Sequence, residues 1–353
     1  MNAPVNMVQR VILADLSDPV MTDRIEAFVR EQSGSLFHRP AWLKAVEAGT
    51  GRRARGFVAE QMGAITGWLP LTEVRSVLFG KALVSSGFGI GGGILANGPD
   101  TAPILMQSAQ EHAQRCGFGS IELRGGAVPD GARAWDDKHC NFSRPLAEDD
   151  EAELLGIPRK ARAEVRKGLK NELDIKVGRA KSDLVAHYSV YSESVRNLGT
   201  PVFPKQLFRA MLSAFPDSSD ILTVSKDGVP LASVLSFYHD GAVMPFWGGG
   251  SFAARGARAN ERMYYELMRH ARLRGMTQFD FGRSKTGSGP FKFKKNWGFE
   301  PQPLTYSEWT ANGAKPRDVD PTNASYSRKI EAWKRLPLPI ANVIGPFIAR
   351  GLA

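Results

Sequence analysis

Apolar residues along this chain fall into two rhythms, and their alternation predicts a mixed fold. Behind Asp18, apolar side chains at helical spacing predict a first helix over residues 18–31. SLFHRPAWLKAVEAG turns at Arg39-Pro40 and then carries Trp42, Leu43 and Val46 on a second helix. RARGFVAEQ and AITGWLPLTEVRS read as strands joined by a turn at Met62-Gly63. A third helix runs from Ala102 to Gln114 and ends at Gly117, and FGSIELRG follows as a strand.

The second half repeats this order. GFVAEQMGAITGWLPL aligns with LTVSKDGVPLASVLSF, each a strand, a Gly-centred turn and a strand. APILMQSAQEHAQRCGFGSIELRG aligns with ERMYYELMRHARLRGMTQFDFGRS, each a helix, a terminal Gly and a strand. The strand after the helix carries an acid in both copies, Glu122 and Asp280. An offset of about 160 residues is too long for a solenoid repeat and indicates two related domains. Hairpins among helices make the fold class α+β rather than doubly wound. The reading divides the chain into an N-terminal domain (1–150), a C-terminal domain (151–323) and a tail (324–353), with the junction between NFSRPL and GIPRKARAEVRKGLKNEL.

Composition narrows the partners more than the chemistry. A length of 353 residues suits two domains, and a formal charge of +10 favours anionic ligands such as tRNA, nucleotide-sugar or lipid phosphates. No apolar run is long enough to span a bilayer, and MNAPVNMVQRVILADL lacks the pattern of a secretory signal, so a cytoplasmic location is expected. Cys116 and Cys140 have no metal-ligand spacing and read as free thiols. No Walker loop, zinc-protease helix or serine elbow occurs, and no metal is expected. Gly87, Gly89 and Gly92 have the spacing of a dinucleotide fingerprint, but ILANGPDTAP follows where a helix would have to begin, so they read as a bend or close packing.

The chemistry concentrates in FDFGRSKTGSGPFKFKKNWGFEP, Phe279 to Pro301. A short strand ends at Asp280, a loop of Gly, Ser, Arg and Lys follows, and Phe291 and Phe293 then alternate with Lys292 and Lys294 as in a second strand. Arg283, Lys285, Lys292, Lys294 and Lys295 gather charge suited to an anion or a developing oxyanion; a solvated basic hairpin is the alternative. A second basic feature is the helix with Arg159, Arg162, Arg166 and Lys170 at helical spacing, either a phosphate-tracking surface or a plain solvated face. Arg196, Asn197 and Thr200 lie in a polar loop between two apolar helices, which either closes over a substrate or is a capped turn. His187 reads as a packed helix residue. AVMPFWGGG ends a strand where backbone amides could meet a ligand, with Trp247 as wall or as core.

Phe279-Asp280-Phe281-Gly282-Arg283-Ser284, followed by Phe293-Lys294-Lys295-Asn296-Trp297-Gly298, resembles the signature of FemAB-type proteins, which are tandem GNAT-like acyltransferases. FHRPAW, GWLPL…VRSVLFGKALVSSGF and VRNLGTPVFP extend the resemblance through nearly the whole chain. It is closest to the branch linked to exosortase, PEP-CTERM and exopolysaccharide systems. The resemblance implies two tandem GNAT-like domains and transfer of an aminoacyl or acyl group to an amine on a cell-envelope or exopolysaccharide precursor. The donor would be aminoacyl-tRNA or acyl-CoA, with no resident cofactor. SFAARGARANERM departs from the Arg/Gln-x-x-Gly-x-Gly/Ala loop of CoA-dependent relatives, because Arg255 stands directly beside Gly256.

On this reading Lys294 stabilises the tetrahedral oxyanion or the leaving group, and Asp280 accepts the proton of the attacking amine. Arg283, Ser284, Lys285, Lys292 and Phe293 hold substrate together with Trp247, Arg196, Asn197 and Thr200, and Arg159, Arg162, Arg166 and Lys170 hold tRNA or another anion. A salt bridge from Asp280 to Arg283 or Lys294 is the competing reading. An acyl-CoA-dependent N-acyltransferase and a catalytically inactive binding component are the alternatives for the whole chain. In the tail, Ile330, Trp333 and Leu336 share a helical face beside Arg328, Lys329, Lys334 and Arg335. It either packs on the catalytic domain or lies peripherally at the inner membrane.

Overall fold

The computed structural model describes residues 9–314 and 324–352. In the first half, β1 (Arg10–Leu13), α1 (Pro19–Glu31) and α2 (Pro40–Thr50) lead into β2 (Ala54–Gln61), β3 (Ala64–Ser76) and β4 (Gly80–Ser85). Then come β5 (Leu95–Ala96), α3 (Thr101–Cys116), β6 (Ser120–Arg124) and β7 (Arg133–Trp135). Next are β8 (His139–Pro145), α4 (Asp150–Gly156), α5 (Arg159–Lys170), β9 (Asp174–Gly178), α6 (Lys181–Asn197) and α7 (Lys205–Ala214). They precede β10 (Ser219–Lys226), β11 (Val229–His239), β12 (Ala242–Gly250), α8 (Ala254–Ala257), α9 (Ala259–Leu273) and β13 (Gln278–Asp280). Last are β14 (Ser284–Lys285), α10 (Gly289–Asn296), β15 (Pro301–Pro303), β16 (Tyr306–Thr310), α11 (Ala324–Lys334) and α12 (Leu338–Ala349).

The two halves build sheets of the same topology. One runs β1-β2-β3-β4-β6, antiparallel until β4 meets β6 in parallel, with α3 as the crossover. The other runs β9-β10-β11-β12-β13, antiparallel until β12 meets β13 in parallel, with α9 as the crossover. Even the hairpin turns agree. Met62-Gly63 and Asp227-Gly228 each place two residues at positive φ, the geometry that matches the right-handed twist of paired strands. The expected α+β class and tandem arrangement are therefore what the chain adopts. One core packs Leu69, Leu83, Leu105 and Ile121, and the other packs Val234, Leu267, Phe279 and Trp297.

Each sheet is completed by a strand from beyond its own half of the sequence. β16 pairs with β6 in the first sheet, and β8 pairs with β13 in the second. The chain accordingly forms two compact units. One is the chain up to Asp136 with the segment from Leu304 that carries β16; the other is Asp137–Pro303 with α11 and α12. The junction expected at residue 150 thus falls inside the second unit, because the pairing of β8 is non-local.

The glycines of 87–92 serve close packing. Gly87 N–H donates to Thr72 Oγ1, Trp42 Nε1 donates to the Gly87 carbonyl, Arg124 Nη1 to that of Gly89, and the Tyr306 hydroxyl to that of Ile90. A Cβ on Gly87 would lie 2.9 Å from Thr72, closer than side-chain carbon tolerates. FHRPAW and the glycine segment, separated in sequence, are thus one structural clamp.

Candidate functional site

β13 and β14 run along one edge of β8, with Asp280 opposite Ser143 and Ser284 opposite Cys140. Between them Gly282 takes φ +71, a kink that a side chain would strain, and its N–H donates to Asp280 Oδ1 at 2.9 Å. Gly287, at φ +75, turns the chain again. Ser288 then accepts from Phe291 N–H at 3.3 Å and Pro290 occupies the first turn, so residues 289–296 form α10 rather than the expected second strand. Ser-Gly-Pro is a helix start, and it overrides the Phe-Lys alternation that mimics a strand.

The helix changes where its side chains go. Lys294 is 8 % exposed, and its Nζ donates to the carbonyls of Gly282 (2.9 Å) and Arg283 (3.2 Å). The rings of Phe142 and Phe281 stand 5.5 and 5.3 Å from the ammonium. Burial pushes Lys294 down to about 7, against the pull of Asp280, with Arg283 adding to the fall. Burial also raises Asp280 above the ordinary carboxyl range, while Gly282 N–H, the Asn141 side chain and Lys294 hold part of that rise back. Both members are thereby displaced toward their neutral forms, the pattern of a pair suited to proton exchange.

The expected pair is brought together, and Asn141 joins it. Asn141 lies on β8, and its Oδ1 is buried without a partner. No local sequence signal marks it; only the pairing of β8 against β13 and β15 brings it here. Ser284 is buried with an unpartnered Oγ, and Arg283 and Lys285 flank it, half-buried.

Other expected site residues stand elsewhere. Phe293 packs among Tyr264, Phe281 and Trp297, and Lys292 is exposed. Trp247 is 5 % exposed in an aromatic cluster with Phe208, Phe237 and Phe246, so its ring is core rather than ligand wall. Arg196 donates to the carbonyl of Lys334, and a Cβ on Gly199 would meet Ile330 at 2.4 Å, so the loop with Asn197 and Thr200 seats α11. The tail therefore packs on the second unit, one of its two expected fates. His187 is fully buried against Ser233, and burial pushes it down to about 3, as a packed residue requires.

Arg159, Arg162, Arg166 and Lys170 share one face of α5 with Lys167 and line a shallow hollow of about 370 Å³. The opposite face, with Val165 and Gly168, packs on α9. A Cβ on Gly298, just after α10, would lie 3.1 Å from Pro158, the residue before α5, so the basic helix begins where the Lys294 helix ends. β12 and β13 pair in parallel over only two residues before β13 turns to β8, while β12 continues beside β11 to Gly250.

Residues 158–295 match the acetyltransferase (GNAT) domain family, so the second unit carries a GNAT acyltransferase domain. No curated protein sequence matches the chain. Among solved structures, FemX is similar at 16% identity and TM-score 0.65, over 86% of this chain and 98% of FemX. A tandem GNAT protein from the clavulanic acid biosynthesis pathway is similar at 11% identity and TM-score 0.57, over 88% and 100%. The C-terminal domain of a putative lysylphosphatidylglycerol synthetase from Agrobacterium fabrum is similar at 14% identity and TM-score 0.53, over 82% and 92%. The shared feature is the tandem GNAT fold.

Proposed function

We propose that the protein transfers an aminoacyl or acyl group to an amine on a cell-envelope or exopolysaccharide precursor. The observation that carries this is the buried Lys294–Asp280 pair within the GNAT domain, with both pKa values displaced toward neutrality. The amine attacks the carbonyl carbon of an ester or thioester, and a tetrahedral oxyanion forms. Two Lys294 N–H groups bond the Gly282 and Arg283 carbonyls, and on this proposal the third stabilises the oxyanion or the departing oxygen or sulfur. Asp280 takes the proton lost by the amine, with Asn141 orienting its carboxylate. The C–O or C–S bond then breaks, an amide remains, and the leaving group takes a proton from Lys294, which regains one from Asp280. No enzyme-bound acyl group is required.

Aminoacyl-tRNA is the donor that suits the α5 face, where guanidinium and ammonium groups repeat along one side at phosphate-tracking spacing. Acyl-CoA is the second reading, favoured by the GNAT domain match itself. FemX and the putative lysylphosphatidylglycerol synthetase share the fold, and the second name places an aminoacyl group on a membrane lipid. An envelope acceptor would put this protein peripherally at the inner membrane. Single-turnover assays with labelled aminoacyl-tRNA and acyl-CoA, each with a panel of amine acceptors, test the proposal. Transfer from either donor that is lost in Lys294→Met supports it, whereas tight binding of both donors without transfer makes the protein a binding component.

A further inference from the structure

The C-terminal helix carries a surface that the acyl-transfer chemistry does not use. α12 docks through small residues: Ala341, Gly345 and Ala349 are buried, a Cβ on Gly345 would lie 3.0 Å from Val202, and Asn342 donates to Ser192 Oγ. Its other side presents Ile340, Val343, Ile344 and Phe347, exposed by 45, 67, 41 and 70 %. The spacing i, i+3, i+4, i+7 makes them one continuous stripe along the helix. α12 contains no charged residue, while exposed Arg328, Lys329 and Arg335 precede it, with Lys334 paired to Glu331.

We infer that this stripe is the docking face for an anionic lipid surface, which α12 enters lying flat. The inference deepens the proposed function by naming how the enzyme reaches a membrane-bound acceptor. Three observations select lipid. At 12 residues α12 is about 18 Å long, too short to cross the hydrocarbon layer but suited to the interface. The adjoining cations outnumber the one acid, Glu331, and complement acidic headgroups. The stripe exposes on the order of 400–500 Å², about half of what each partner buries in a stable protein interface. Pairing two copies through this stripe would also bring like charges together.

Flotation of the full chain tests this with vesicles of phosphatidylcholine alone or with equal parts of phosphatidylglycerol. The wild type should float with the mixed vesicles and much less with phosphatidylcholine. Val343→Ser with Phe347→Ser should weaken partitioning about tenfold or more, and both positions are exposed enough for the fold to persist. Arg328→Ala with Arg335→Ala is the independent second variant, and should weaken binding to the mixed vesicles only. Absence of wild-type flotation, or equal flotation of the serine variant, overturns the inference. So does concentration-dependent dimerisation abolished by the serine pair, which would assign the stripe to a second copy. Transfer to a water-soluble amine should be unchanged in these variants, so failure of the chemistry and failure of the membrane face are read separately.

Discussion

Glu122 and Asp280 occupy the same place in the two sheets, on the strand that follows the crossover helix and its terminal glycine, yet their surroundings differ. In the first unit the residue two positions on is Arg124, whose Nε meets Glu122 at 2.8 Å while Nη1 holds the Gly89 carbonyl. In the second unit that position is Gly282, which offers Asp280 only a backbone N–H. The permanent charge is replaced by Asn141 and by Lys294, whose own ammonium is weakened by burial. One acid is paired with an arginine that also braces the glycine segment. The other has its carboxyl raised by burial. The same strand position thus carries an arginine-paired acid in one unit and a buried acid beside a glycine in the other.

The largest effects should dissociate the two sites. Lys294→Met keeps the volume and the aromatic contacts, so stability should change by less than about 2 kcal/mol, but transfer should fall about 10²–10³-fold. Arg124→Met should do the reverse, costing about 3 kcal/mol or more by leaving a carboxylate and a carbonyl short of partners, with the rate per folded molecule unchanged. Stopped-flow transfer and denaturant titration on both variants decide it. A Lys294→Met enzyme within twofold of wild type would make the lysine a brace for the 282–283 turn, and the contrast would collapse.

Much of this contrast was legible in the sequence, and the remainder was hidden for identifiable reasons. The β2–β3 and β10–β11 hairpins could be read because Met62-Gly63 and Asp227-Gly228 carry turn chemistry locally. Asp280 and Lys294 stood out through motif and charge. α10 mimics a strand because Phe291 and Phe293 alternate with lysines, and the cap at Ser288 outweighs that pattern only once the turn at Gly287 aims it. The exchange of β8 and β16 leaves no trace in composition, since strand pairing across more than a hundred residues has no local signature. Asn141 is silent in the sequence for the same reason. Trp247 looked like a ligand wall beside three glycines, but Phe208 and Phe237 close over it.

Removing the acids should separate the sites less sharply. Asp280→Asn should slow transfer by about 10²-fold, whereas Glu122→Gln should leave the rate intact and cost about 1 kcal/mol. The pH profile sharpens the reading. Lys294, lowered to about 7, loses its proton as pH rises through neutrality, and Asp280, raised, gains its basic form over a range above the usual carboxyl value. Transfer should therefore peak near neutrality, and Lys294→Met should remove the alkaline limb. Stability carries the same signature with a definite sign. Above pH 7 the folded lysine binds fewer protons than the unfolded one, so the wild type should gain stability relative to Lys294→Met as pH rises toward 10.5, the unperturbed lysine value. The raised Asp280 contributes the opposite slope in the acidic range, since its folded form holds its proton longer. An alkaline stability slope equal in both proteins would mean that Lys294 is not the perturbed group.

The basic helix α5 belongs to the second unit alone and offers a smaller test. Arg162→Glu with Arg166→Glu should weaken binding of tRNA about tenfold or more and lower its salt slope by about two. Folding should change by about 1 kcal/mol or less, because Arg166 is exposed and the half-buried Arg162 gives up only a long bond to the Leu155 carbonyl. Unchanged affinity would leave this face solvated and shift the donor toward acyl-CoA.

The smallest expected effect asks whether the two scaffolds are equivalent beneath their different sites. Gly63 and Gly228 hold φ +81 and +75 at the same turn position, and a Cβ at either would meet nothing within 4 Å. Alanine there would thus cost backbone strain alone, about 1–2 kcal/mol. Gly63→Ala and Gly228→Ala should lower stability by equal amounts in urea titrations, and neither should alter transfer per folded molecule. A large loss at one turn and none at the other would show that the hairpins bear different loads. Equal losses with unequal activity would instead tie the β10–β11 hairpin to the Lys294 site through the sheet, because β11 and β12 carry its register to β13.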